Sequence, residues 1–129
     1  VEFFHGYTYS AHPLACAAGL ATLDVFAEQD ILGQLGKALP LWEERAHRLK
    51  GAAHVVDIRT AGLLCAIDLA PRPGADGARG GETNTLCLDA GVLIRNAGDT
   101  LVLSPPLVIA PAEIEEIFTT IEQALGRIG

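Results

Sequence analysis

Thr8 and Ser10 place two hydroxyls just ahead of a segment that opens at Pro13 and is dense in alanine. Free N–H groups and the dipole at a helix N-terminus favour an anion, so these hydroxyls can contact a phosphate or a carboxylate. They can equally form a plain cap, the commoner use of Ser and Thr there, with Ser10 as the capping residue. Arg95 is the second candidate. It ends the apolar run Val92-Leu93-Ile94 and precedes a tight turn. Its planar guanidinium can grip a carboxylate through two parallel hydrogen bonds. The competing use is an ion pair to Asp99 across the turn.

Other reactive side chains form no recognisable set. His5, His12, His47 and His54 have no metal-binding spacing. His47 is expected to be solvated, and His5 and His12 to pack or hydrogen-bond beside Thr8. Cys16, Cys65 and Cys87 contain no CxxC pair, so they read as reduced, buried or half-buried thiols rather than a zinc site, and no metal is expected. Glu43 and Glu44 point in different directions on a helix and are read as a solvated face. Gly77–Gly81 is a loose glycine loop, not a phosphate-cradling motif. Local chemistry therefore supplies half of an anion site and one carboxylate clamp. No complete catalytic set is present.

The surrounding sequence predicts the elements that hold these residues. Pro13–Gln29 has helical spacing, with Leu14, Ala17, Ala18, Ala21 and Val25 on one face. Asp30 is a candidate cap for a second helix whose stripe is Leu32, Leu35, Leu39, Trp42, Ala46 and Leu49. Pro40 predicts a kink or break near Gly36–Pro40, and Gly51 ends the helix. Val55–Arg59 and Leu63–Leu69 read as strands about a turn at Gly62. Residues 70–81 read as a loop, and Glu82–Ala90 as a short helix. Val92–Arg95 and Thr100–Leu103 read as strands joined by "NAGD". Pro111 opens a last helix with Ile114, Ile117, Phe118, Ile121, Leu125 and Ile128 on its core face. The fold class is α+β, with helices packed on a small, mainly antiparallel sheet.

With 129 residues, the chain is long enough for one domain with a core. Hydrophobic residues make up 50% and charged residues 19%, which excludes a disordered class. Nine scattered Lys and Arg within a net charge of −7 argue against nucleic acid. The acidic excess reads mostly as solvated helix faces, such as Glu113, Glu115 and Glu116. Apolar runs are too short to span a bilayer, so the expected partners include no membrane and the default location is cytoplasmic.

Three stretches resemble one family. "HGYTYSAHPLACAAGLATLD" (residues 5–24) is similar to the segment after the active-site lysine region of class III aminotransferases, pyridoxal-phosphate (PLP) enzymes of fold type I. "GVLIRNAGDTLVLSPPLVI" (residues 91–109) resembles their C-terminal-domain segment. "DIRTAGLLCAIDLAPRPG" (residues 57–74) looks most like the ω-amino acid (β-alanine)–pyruvate branch. The resemblance implies a homodimer in which Thr8, with Tyr7 beside it, contacts the PLP phosphate of the neighbouring subunit. It implies that Arg95 binds the substrate carboxylate, or swings aside for an amine. Amino donor and oxo-acid would be the substrates. The Schiff-base lysine, the Asp for the pyridine nitrogen and the stacking aromatic would all lie upstream. Lys37 and Lys50 are the only lysines, and neither matches the catalytic position. The expectation is thus the C-terminal part of a transaminase, with Val1 a cut or a boundary and the isolated chain inactive. Residues 1–29 would end the large PLP-binding domain and form an inter-domain helix. Residues 30–129 would form the C-terminal small domain. The alternative is a non-catalytic small-molecule binding or interaction module derived from such an enzyme.

Overall fold

The computed structural model describes residues 5–129. The first four residues, where the expected large-domain segment begins, lie outside them. Helices α1 (Pro13–Glu28) and α2 (Ile31–Arg48) come first, then strands β1 (Val55–Ala61) and β2 (Leu64–Leu69). Helix α3 (Ala78–Asp89), strands β3 (Arg95–Ala97) and β4 (Thr100–Leu103) and helix α4 (Pro111–Leu125) follow. The strands form one sheet in the order β1-β2-β4-β3, antiparallel throughout. The expected helix, helix, strand, strand, helix, hairpin, helix order is the one found.

Alternation sorts the sheet residues. Cys65, Ile67 and Leu69 of β2 and Leu101 and Leu103 of β4 point inward and are buried. Against them pack Trp42, Ala46 and Leu49 from the second helical segment, and Ile114, Phe118, Ile121 and Leu125 from α4. The Trp42 and Phe118 rings meet edge-to-face at 4.8 Å. Arg45 joins the same two helices: its Nε lies 2.9 Å from Glu115 Oε2, and its Nη2 donates to Thr119 Oγ1 at 3.2 Å.

Several expectations about boundaries are corrected. Ser10 does not cap α1. His12 holds the cap position without a side-chain bond, and Ala11 has φ 58°. Asp30 stands at the cap of α2 but is left-handed and bonds no free amide, its side chain lying over Gly33. The buried stripe starts at Ile31; Leu32 is exposed. Helix α2 runs unbroken through Pro40. Pro40 and Gly36, the residue whose carbonyl its ring crowds, both face solvent, where a freed carbonyl is open to hydration. Burial of Ala38, Trp42 and Ala46 on the opposite side outweighs the lost bond. Helix α3 begins four residues earlier than Glu82, within the stretch read as loop. Strand β3 begins at Arg95 rather than ending there. Cys16 is exposed, unlike Cys65 and Cys87. His47 is half-buried rather than solvated.

Helix α1 is the exception to the packing. None of its residues is buried, and Leu14, Leu20 and Leu23 are exposed.

Candidate functional site

Arg95 is exposed at the start of β3, the edge strand, where it pairs with Val102 of β4. A cleft of about 370 Å³ opens beside it. Leu93, Val102, Pro105 and Ile117 contribute apolar walls, and Ser104 a hydroxyl. Among the described residues, no hydrogen bond or ion pair engages the Arg95 guanidinium. An unpaired cation beside an apolar cleft suits a small carboxylate with a hydrocarbon body.

The competing ion pair to Asp99 is not formed, and that carboxylate is bonded elsewhere. Asp99 Oδ2 accepts from the Gly77 amide at 2.7 Å and Oδ1 from the Gly80 amide at 3.0 Å. These amides belong to the first turn of α3 and its cap position. Asp99 therefore caps α3 from the tip of the β3–β4 hairpin, where acceptor and helix dipole favour each other. The Gly80 amide foremost, with that of Gly77, holds the Asp99 carboxyl below the usual carboxylate range. On the adjoining strands the Arg59 guanidinium does the same for Asp68, helped by the Thr100 hydroxyl at 2.8 Å.

Thr8 lies in an exposed turn closed by Ser10 N donating to Tyr7 O at 3.1 Å. Tyr7 is exposed beside it. Among the described residues, Gly6–Ser10 line the open hollow at this turn. The structure does not bring Thr8 and Arg95 together: none of the clefts described includes both. The donors present fit one part of PLP, since an exposed hydroxyl at a turn leading into a helix can bind its phosphate. They do not supply a lysine, because Lys37 and Lys50 are exposed on and after α2.

Sequence reasoning did not single out Asn84 and Asn96, and it weighed Asp99 only as a partner for Arg95 and Gly80 only as loop. The signal was the Gly80-Gly81 pair, which was read as loop but lies in α3. Among the described residues, no cluster of three or more His, Cys, Asp or Glu could hold a metal ion. None of the helices described is long and apolar enough to cross a membrane.

The family model described as Aminotransferase class-III matches residues 2–125. The chain belongs to the class-III aminotransferases. It is 48% identical over 128 residues to an omega-aminotransferase of Caulobacter vibrioides, covering 99% of this chain and 29% of that protein. It is 44% identical to a beta-alanine–pyruvate aminotransferase of Pseudomonas aeruginosa, with the same coverage. The chain thus spans less than a third of the length of these relatives.

Solved aminotransferase structures match the fold as well. A PMP-bound aminotransferase from Vibrio fluvialis superposes with a TM-score of 0.86 at 28% identity, covering 98% of this chain and 29% of that one. An amine transaminase from an uncultivated Pseudomonas species, in its PLP-bound form, gives 0.83 at 35% identity, covering 98% and 30%. The four helices on a four-stranded antiparallel sheet are thus an arrangement shared with fold type I transaminases.

Proposed function

We propose that this chain is the C-terminal segment of a PLP-dependent transaminase that moves an amino group from an ω-amino acid or amine to pyruvate or another oxo acid. The observation that carries the reading is Arg95. It is a guanidinium without a partner among the described residues, beside an apolar cleft, in a class-III chain whose relatives include a beta-alanine–pyruvate enzyme. In this reading Arg95 orients the substrate by its carboxylate, and the cleft walls exclude water around the hydrocarbon portion. Thr8, with Tyr7 beside it, holds the cofactor phosphate of the neighbouring subunit in a homodimer. When bound, PLP supplies the electron-withdrawing ring on which amino-group transfer depends. The catalytic lysine comes from outside this segment, so the segment alone is inactive. Residues 1–29 belong with the large domain, a division supported by the absence of any buried residue in α1, while residues 30–129 share one core. The location that goes with this reading is the cytoplasm.

The test uses the full-length polypeptide that contains this chain. Arg95→Ala should raise KM about tenfold or more for a carboxylate-bearing donor while leaving a simple amine nearly unchanged, because only the former loses a charge-assisted pair. An equal effect on both donors removes the clamp role. Thr8→Ala should weaken PLP retention on dialysis, and unaltered retention would count against the phosphate contact.

A further inference from the structure

We propose that Asn84 and Asp99 are positioning residues for Arg95, fastening its strand to helix α3 so that the guanidinium meets a substrate carboxylate from a fixed origin. The inference rests on the Arg95 reading above. Strand β3 needs such help. It is three residues long, lies at the sheet edge and, among the described residues, pairs with β4 alone. Its partner β4 is anchored by pairing with β2, but an edge strand this short has ladder hydrogen bonds on one side only. Arg95 and Ala97 are exposed, so their side chains add little packing.

Beyond the β2–β4 pairing and the buried Leu101 and Leu103, polar contacts tie the β3 side of the hairpin to one helix. Asn84 Nδ2 donates to Asn96 Oδ1 at 2.8 Å, immediately beside Arg95 in the chain. Asn96 Nδ2 donates to Gly98 O at 3.1 Å, bracing the turn. Asp99 takes the Gly77 and Gly80 amides. Gly80 lets the two backbones touch: a Cβ there would lie 2.1 Å from Gly98 O. On the upstream side Ile94 is buried, and the Val92 amide donates to Cys87 O at 2.8 Å. The Arg95 backbone therefore lies between a residue sunk in the core and one bonded to α3. The long arginine side chain can swing, but its point of attachment cannot drift. Geometry of this kind matters to catalysis because small misplacement of an orienting group is expensive.

The experiment is made in the full-length holoenzyme with Asn84→Ala, Asp99→Ala and Asp99→Asn beside Arg95→Ala. Two readouts are taken. One is kcat and KM for a carboxylate-bearing donor and for an amine lacking one. The other is the calorimetric dissociation constant of a plain carboxylate that has no amino group and cannot react. Asn84→Ala and Asp99→Ala are expected to weaken both carboxylate readouts about tenfold while kcat with the amine stays within about twofold. Asp99→Asn keeps one of the two acceptor oxygens but sets an amide donor against the other backbone N–H, so it should recover only part of the loss. Asn84→Ala leaves the α3 cap intact, so it reports even where Asp99→Ala fails to fold. Losses shared by both donors, or none in either variant while Arg95→Ala discriminates, would overturn the positioning role. If Arg95→Ala itself does not discriminate, the clamp reading fails and the positioning role falls with it.

Discussion

Gly80→Ala and Gly81→Ala should change stability in opposite directions, although the two residues are neighbours on one helix. A Cβ on Gly80 would lie 2.1 Å from Gly98 O and 3.0 Å from Asp99 Cα, both backbone atoms. Relief requires the hairpin tip to retreat by more than an ångström, which also stretches the 3.0 Å bond from the Gly80 amide to Asp99. Forcing atoms into a packed site costs about 1–3 kcal/mol. Weakening a charge-assisted bond adds about 1 kcal/mol when its acceptor is partly solvated. Alanine returns about 0.5–1 kcal/mol through lower chain entropy in a helix interior. The net expectation is a loss of about 2 kcal/mol. At Gly81 an added Cβ meets nothing within 4 Å, so only the favourable entropy remains and the variant should gain about 0.5–1 kcal/mol. Equilibrium urea denaturation reads both as shifts in midpoint at unchanged slope. A Gly80→Ala protein as stable as Gly81→Ala would show that the hairpin tip yields freely and does not fasten β3.

Stability should also fall in acid. Asp68 and Asp99 have carboxyl groups held below their ordinary value, first by the Arg59 guanidinium and by the Gly80 amide respectively. A depressed folded-state value gives stabilisation that is fully present above the ordinary carboxylate range and is lost as pH falls through the depressed values. Urea midpoints should hold steady down to about pH 5, then drop, and drop less steeply in Asp99→Asn; identical profiles would remove Asp99 from the account. Burial pushes the Cys65 and Cys87 thiols up to about 11, while Cys16 is exposed. Iodoacetamide at neutral pH should therefore label Cys16 in the folded chain and the other two only after denaturant is added, and mass mapping of labelled peptides would expose rapid labelling of either as a contradiction.

The sequence alone determined the element types, their order and most of the core. Period-two alternation marks Cys65, Ile67 and Leu69, and helical spacing marks Trp42, Ala46, Phe118 and Ile121; burial of one face enforces both patterns. It also singled out Arg95, because a charged residue ending an apolar run stands out locally. The tertiary structure alone decided how these residues are used. Pro40 stays inside a helix because its crowded turn faces water while the other face is packed, a balance that local propensity cannot weigh. Asp99 looked like a partner for Arg95 across a turn, yet it bonds amides 19 and 22 residues away. Only the docking of the hairpin on α3 places those amides within reach, and the Arg95 guanidinium is left without a partner among the described residues. Spacing along a chain records which groups are neighbours in sequence, whereas hydrogen-bond competition is settled among groups that folding brings together.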